Sequence, residues 1–116
     1  MDITPLLAKT KLNIFKYGEG NFETNQGVFN SSIIAMPSKA MAAEFTNLDA
    51  IDKSIFENNP IVIIGTGKTQ IFDNDLRNYF LNLGINPEFM TTSAAIRTFS
   101  VLNLEDRNVI AMLQLI

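Results

Sequence analysis

Cysteine and histidine are both absent from these 116 residues. Without cysteine there is no disulfide, no thiolate metal ligand and no sulfur nucleophile. Without histidine there is no imidazole base, no usual zinc or haem ligand, and no side chain that ordinarily titrates near neutral pH. Hydrolytic and redox chemistry become less expected, and no cofactor or metal is assigned. Concentrated positive charge is missing too. Nine Lys and Arg stand against twelve Asp and Glu, a net charge of −3, and only Lys9, Lys11 and Lys16 are loosely grouped. A duplex binder needs a basic stripe to neutralise phosphates, so no nucleic acid is expected as a partner. No apolar window approaches the roughly 20 residues of a membrane span, which argues against direct membrane insertion. Met1-Asp2-Ile3-Thr4-Pro5-Leu6-Leu7 carries an acid where a secretory signal has a base. A cytoplasmic location is expected.

What is present is apolar side chain, 47% of the residues. A chain of this length is expected to form a single domain, 1–116, that hides roughly two-thirds of its unfolded surface. The first third reads as short strands and tight turns. Leu12, Ile14, Phe15 and Tyr17 form a β-rich run ended by Gly18-Glu19-Gly20-Asn21, and Asn25-Gln26-Gly27 marks a second turn between Phe22 and Val28-Phe29. Ile33-Ile34-Ala35-Met36 predicts another strand, stopped by Pro37. Residues 38–46 fit a helical turn or an irregular strand. Ile51, Ile55 and Phe56 predict a short amphipathic helix over Asp49 to Glu57.

The C-terminal half has a different grammar. Ile61–Ile64 is wholly apolar, as in a strand buried on both faces. Leu76, Tyr79, Phe80 and Leu83 define one helical face, with Asp73 or Asn74 as N-cap and Gly84 as the stop. Pro87-Glu88-Phe89-Met90 predicts a strand parallel to 61–64. A helix follows from Thr91 or Thr92 with Ala95, Phe99 and Leu102 on one side, and Val109, Ala111, Leu113 and Leu115 alternate as a last strand.

Between strand and helix, Gly65-Thr66-Gly67-Lys68-Thr69 has the look of a nucleotide loop. A phosphate-cradling P-loop requires its first glycine at position 62, where Val62 sits inside the strand. The dinucleotide fingerprint requires a third glycine where Gln70 stands, and Lys68 to Phe72 separate the turn from the next helix. Both readings fail. The glycines serve more simply for positive φ or for close backbone approach. A different site is nonetheless drawn by the topology. If strands 61–64 and 87–90 are neighbours, Gly65, Thr66 and Gly67 lie beside the helix N-terminus at Thr91 and Thr92, and Arg97 leans back toward it. These six residues form the candidate ligand site, suited to a small anion or carboxylate. The competing structural roles are capping by the threonines and pairing of Arg97 with Glu44, Glu88 or another acid.

Gly65-Thr66-Gly67, Gly84-Ile85, Glu88, Met90-Thr91-Thr92, Ala95-x-Arg97-Thr98, Leu102 and Glu105-x-Arg107 together resemble the Mth-type family of small domains of unknown function. The resemblance covers 61–115 closely and 12–60 compatibly. It implies a three-layer α/β fold: a mixed central sheet, two packing helices and an N-terminal β-hairpin flap. Members usually carry Arg-Thr-Tyr-Asn in the last helix, where this chain has Arg97-Thr98-Phe99-Ser100. Since the family includes a mitochondrial assembly factor for respiratory complex I, the resemblance implies a non-enzymatic interaction or assembly factor. Its partner would be another protein, such as a membrane-complex subunit, with a homo-oligomer as a further use of the apolar surface. The alternative, from another class, is a small-anion or metabolite-binding domain, or a modest enzyme, using Thr66, Thr92 and Arg97.

Overall fold

A computed structural model describes residues 11–116; the readings made for Met1–Leu7 and Lys9 lie outside the described residues. The chain runs through β1 (Ile14–Gly18), β2 (Asn21–Thr24), β3 (Gly27–Phe29), β4 (Ile33–Ala35), β5 (Ala40–Ala42), two 3-10 turns (Leu48–Ala50 and Lys53–Phe56), β6 (Ile61–Gly65), α1 (Asn74–Asn82), β7 (Glu88–Met90), α2 (Thr92–Leu104) and β8 (Val109–Leu113). Five strands make a mixed sheet in the order β5-β4-β8-β6-β7. Its centre is parallel, with β6 between β8 and β7. β4 joins β8 and β5 antiparallel. β1, β2 and β3 form a separate antiparallel sheet, the expected hairpin flap with a third strand added.

The period of two along each central strand sorts its side chains onto two cores. Ile61, Ile63, Val109, Ala111, Leu113 and Ile33 face α2 and the small sheet, where Ala95, Ile96, Phe99, Ile14 and Phe22 meet them. Val62, Ile64, Ile110, Met112 and Ile34 face the other way, onto Leu76 and Phe80 of α1 and Phe56 of the second 3-10 turn. This is the three-layer α/β arrangement anticipated for the family. Burying each such Ile, Leu or Phe contributes about 1.5–3 kcal/mol, so the fold is held from both sheet faces.

Local signals place the helices. Asp73 caps α1, its carboxylate accepting from the amides of Asp75 (3.0 Å) and Leu76 (3.2 Å). Gly84, at φ +79°, ends the turn that follows. Thr91 caps α2 by accepting from Ala94 N at 3.3 Å. The parallel pairing of β6 with β7 is as anticipated, in the register Ile63 to Glu88, Ile64 to Phe89 and Gly65 to Met90.

Two expectations change. The helix predicted over Asp49 to Glu57 is instead the pair of 3-10 turns, separated by extended backbone at Ile51 and Asp52. Asp52 is the cause: its carboxylate accepts from Ser54 N at 3.0 Å, restarting the chain where a helix would have to continue. A nine-residue segment cannot recover that nucleation cost by itself. Second, β8 does not alternate buried with exposed. All five of its residues are buried, because the strand is central and both faces are covered. The ambiguous stretch 38–46 contributes β5.

Gly65 sits where α2 touches the sheet. A Cβ there would lie 2.9 Å from Thr92 Cα, 3.1 Å from Ala95 Cβ and 3.1 Å from Leu113 Cδ2. The nearest of these is helix backbone and cannot swing aside. Gly67, by contrast, has open space but φ +88°. Both anticipated uses of glycine therefore occur, one at each position. Gly65→Ala is expected to lose about 3 kcal/mol through overpacking, and Gly67→Ala about 1–2 kcal/mol through left-handed strain. Urea unfolding of the two variants checks the order; an equal or smaller loss for Gly65→Ala contradicts the close-approach reading.

Candidate functional site

The connection leaving β6 turns toward α1 on one face of the sheet, and the one leaving β7 turns to α2 on the other. Diverging connections of this kind open a crevice at the carboxyl ends of the strands. Gly65, Thr66, Gly67, Thr91 and Thr92 do come together there, and their polar atoms bond to one another and to the adjoining backbone. The Thr66 amide donates to Met90 O at 2.9 Å. Its hydroxyl donates to Thr69 O at 2.6 Å and accepts from Ile71 N at 3.0 Å, folding the loop back on itself. The Thr92 amide donates to Gly67 O at 2.9 Å, and its hydroxyl accepts from Gly67 N at 2.9 Å. That hydroxyl then donates to Gln114 O at 2.8 Å, while Gln114 N donates to Gly65 O at 2.9 Å. A hydroxyl has one donor, so Thr66 and Thr92 have each given theirs to the protein's own backbone.

The helix end is similarly engaged. Thr91 accepts from Ala94 N through its side chain and from Ala95 N through its carbonyl. Of the first three amides of α2, only Ser93 N has no hydrogen-bond acceptor among the described residues. Arg97 is exposed and forms no ion pair with Glu44, Glu88 or any other acid among the described residues. Five helical residues carry it about 140° around the axis from Thr92. It lies on the outer stripe of α2 with Val101 and Leu104, both exposed.

Sequence reasoning missed the residues that complete these bonds. Gln114 follows the last strand and shows no pattern of its own. Asn103 is 4% exposed, yet its amide donates to Pro37 O (3.0 Å) and Leu12 O (3.3 Å), fastening the first described residues to α2. The only hint was a polar residue at a helical position otherwise read as core.

A second concavity, of ≈ 540 Å³, lies across the sheet and is lined by Leu48, Asp49, Asp73, Asp75 and Tyr79. The Tyr79 hydroxyl is shut from water with no hydrogen-bond partner among the described residues. Its ring packs edge-on against Phe80 at 5.1 Å, and Lys53 Nζ stands 5.9 Å over it. Burial first, and the negative charge of Asp49 second, push its pKa above the ordinary 10.0. Among the described residues no three acids converge as metal ligands.

Residues 14–114 match the family described as Protein of unknown function (DUF498/DUF598). The chain belongs to this family. A relative called 13 kDa major membrane protein, from Francisella tularensis subsp. holarctica, is 29% identical over 102 residues, covering 81% of this chain and 83% of the relative. A crystal structure of an outer membrane protein from Bartonella henselae is 32% identical with a TM-score of 0.75, covering 92% of this chain and 97% of that one. A Bordetella pertussis protein described as a Mth938-like domain is 23% identical with a TM-score of 0.68, over 98% and 90% of the two chains. That last likeness concerns the fold, and it agrees with the Mth-type resemblance read from Gly65–Arg107. Among the described residues no helix is long and apolar enough to cross a membrane.

Substitutions at two positions test this chemistry. Thr92→Val strands Gly67 N–H and Gln114 C=O together and is expected to cost about 2–4 kcal/mol, whereas Thr92→Ser keeps both bonds and costs under about 1 kcal/mol. Equal stability of the two by urea unfolding would show the hydroxyl to be dispensable. Tyr79→Phe removes an unpartnered oxygen and is expected to be neutral or stabilising at pH 7. Because the folded phenol holds its proton more tightly than the unfolded one, wild-type stability is unaffected by this titration below the unfolded value of 10.0 and falls as pH rises from there through the folded value. Unfolding midpoints at neutral and strongly alkaline pH should therefore fall further for wild type than for Tyr79→Phe; parallel losses refute the assignment.

Proposed function

We propose that the chain is a non-enzymatic, single-domain interaction module, an assembly factor that acts on another protein belonging to a membrane complex. The observation that carries this reading is a contrast between inside and outside. In the crevice, the Thr66 and Thr92 hydroxyl protons and the Thr92 and Ala94 amides already have protein acceptors. On the surface, large apolar side chains stand free: Phe72 is 67% exposed, Phe15 62% and Leu104 75%. A ligand site needs unengaged polar groups, whereas a protein partner needs apolar area to cover. Two relatives described as membrane proteins are consistent with a membrane complex as the place of work. On this reading the chain operates in the cytoplasm, from the aqueous side of that complex.

The competing function is a small-anion or metabolite site at Gly65, Thr66, Gly67, Thr91, Thr92 and Arg97. It would require the Thr66 and Thr92 bonds to open and Arg97 to cross from the outer stripe of α2. Affinity isolation of the tagged chain from native extract, followed by a thermal-shift screen with phosphate, sulfate and small carboxylates, separates the two. Co-isolation of a membrane-complex subunit with a flat screen is expected. A reproducible rise in melting temperature that Arg97→Ala abolishes, with nothing co-isolated, overturns the interaction reading.

A further inference from the structure

The two edges of the five-stranded sheet are treated unequally. At β7 the parallel ladder turns the Phe89 carbonyl away from β6. Gln70 Nε2 donates to it at 2.9 Å, and the Phe72 ring leans on Phe89 at 5.9 Å between centroids. The carbonyl on that edge is covered. At β5, Met36 N donates to Lys39 O and Ala43 N to Ser32 O, which fixes the alternation. Residues 39, 41 and 43 bond to β4, while Ala40 and Ala42 turn their backbone groups outward. Gln26, from the turn between β2 and β3, covers one end: Ala40 N donates to Gln26 Oε1 at 3.1 Å, and Gln26 Nε2 donates to Ser38 O. The N–H and C=O of Ala42 have no partner among the described residues, and Ala42 is exposed.

Beside this open edge runs a cleft of ≈ 560 Å³ whose floor is Ile34, Met41, Ile51 and Ile55. Glu44 and Asp52 line it, and among the described residues no Lys or Arg does. The neighbouring concavity adds Asp49, Asp73 and Asp75. The usual guards of an edge strand are a lysine, a proline or a bulge. Ala40-Met41-Ala42 contains none of them, Lys39 stands at the other end of the ladder from Ala42, and alanine leaves room for another backbone to approach.

We propose that the β5 edge at Ala42 is a docking site for an extended, basic segment of a partner protein, which adds a strand to the sheet. Backbone bonds to Ala42 supply the pairing, alternate apolar side chains enter the cleft over Met41, Ile51 and Ile55, and Lys or Arg residues meet Glu44 and the adjoining acids. This inference rests on the interaction reading above and adds a surface that Phe15, Phe72 and Leu104 do not line.

The test uses the full chain, isotopically labelled, and a synthetic peptide of alternating Val and Thr flanked by lysines. The free protein should be a monomer in which the Ala42 amide exchanges rapidly with solvent. The peptide should shift and protect the Ala42 amide, and its affinity should fall about tenfold in Ala42→Pro, which removes that donor, and by a similar factor in Glu44→Lys. Glu44→Lys is a surface change and carries the test if Ala42→Pro does not fold. A peptide that perturbs only amides elsewhere, or binds both variants as well as wild type, overturns the proposal. So does a dimer with a protected Ala42 amide, which would make a second copy the occupant. A native partner still co-isolated by Glu44→Lys refutes this surface while leaving the interaction function intact; wild type that co-isolates nothing refutes that function itself.

Discussion

The contact between Gly65 and the first turn of α2 governs the carboxyl end of the sheet. Because position 65 has no side chain, helix backbone comes within reach of a built Cβ at 2.9 Å. At that separation Thr92 N meets Gly67 O, and the Thr92 hydroxyl spans from Gly67 N to Gln114 O. One threonine thereby ties the loop after β6, the start of α2 and the end of β8. Any Cβ at 65 would lift the helix and lengthen all three bonds together. The packing and the hydrogen bonding are thus one constraint, since close approach creates the bonds and the bonds hold the approach.

The same constraint changes what the crevice can do. Open α/β sheets keep polar groups unengaged at this position so that a ligand can take them. Here the loop closes on its own Thr66, through Thr69 O and Ile71 N. What is gained is rigidity at a point where diverging connections would otherwise leave the backbone under-bonded. In return the Thr66 and Thr92 hydroxyl protons are held by backbone carbonyls.

Much of the C-terminal half was legible in the residues because its signals are local. Apolar runs gave β6, the spacing of Leu76, Tyr79 and Phe80 gave α1, and Thr91 and Asp73 marked their helix starts. The convergence of Gly65–Gly67 with Thr91 and Thr92 followed from the crossover topology. The position of Arg97 did not: it depends on helical phase relative to Thr92, and the sequence was read for reach alone. The 49–57 segment misled because Ile51, Ile55 and Phe56 have helical spacing while the Asp52 carboxylate competes for the backbone. The glutamines that guard the edges were illegible altogether. Gln26 and Gln70 act across 12 to 19 residues of chain, and nothing in their neighbours records the partner.

Those glutamines explain how a small sheet with unguarded strands avoids indiscriminate pairing. A side-chain amide offers one donor and one acceptor, so Gln70 can occupy the Phe89 carbonyl and Gln26 can bracket the start of β5. Gln26 also belongs to the small sheet, so the flap that helps bury one core sets the length of open edge left beside the other. Four outward groups, the N–H and C=O of Ala40 and of Ala42, would make a longer template; Gln26 takes the Ala40 N–H out of it. An edge this short cannot hold a strand by backbone bonds alone, because each contributes only about 0.5–1.5 kcal/mol net. For the proposed docking, selectivity would then fall to the apolar cleft and its acids, and a segment lacking either apolar alternation or positive charge would gain too little to stay. The net charge of −3 works in the same direction, favouring a basic segment over an acidic one.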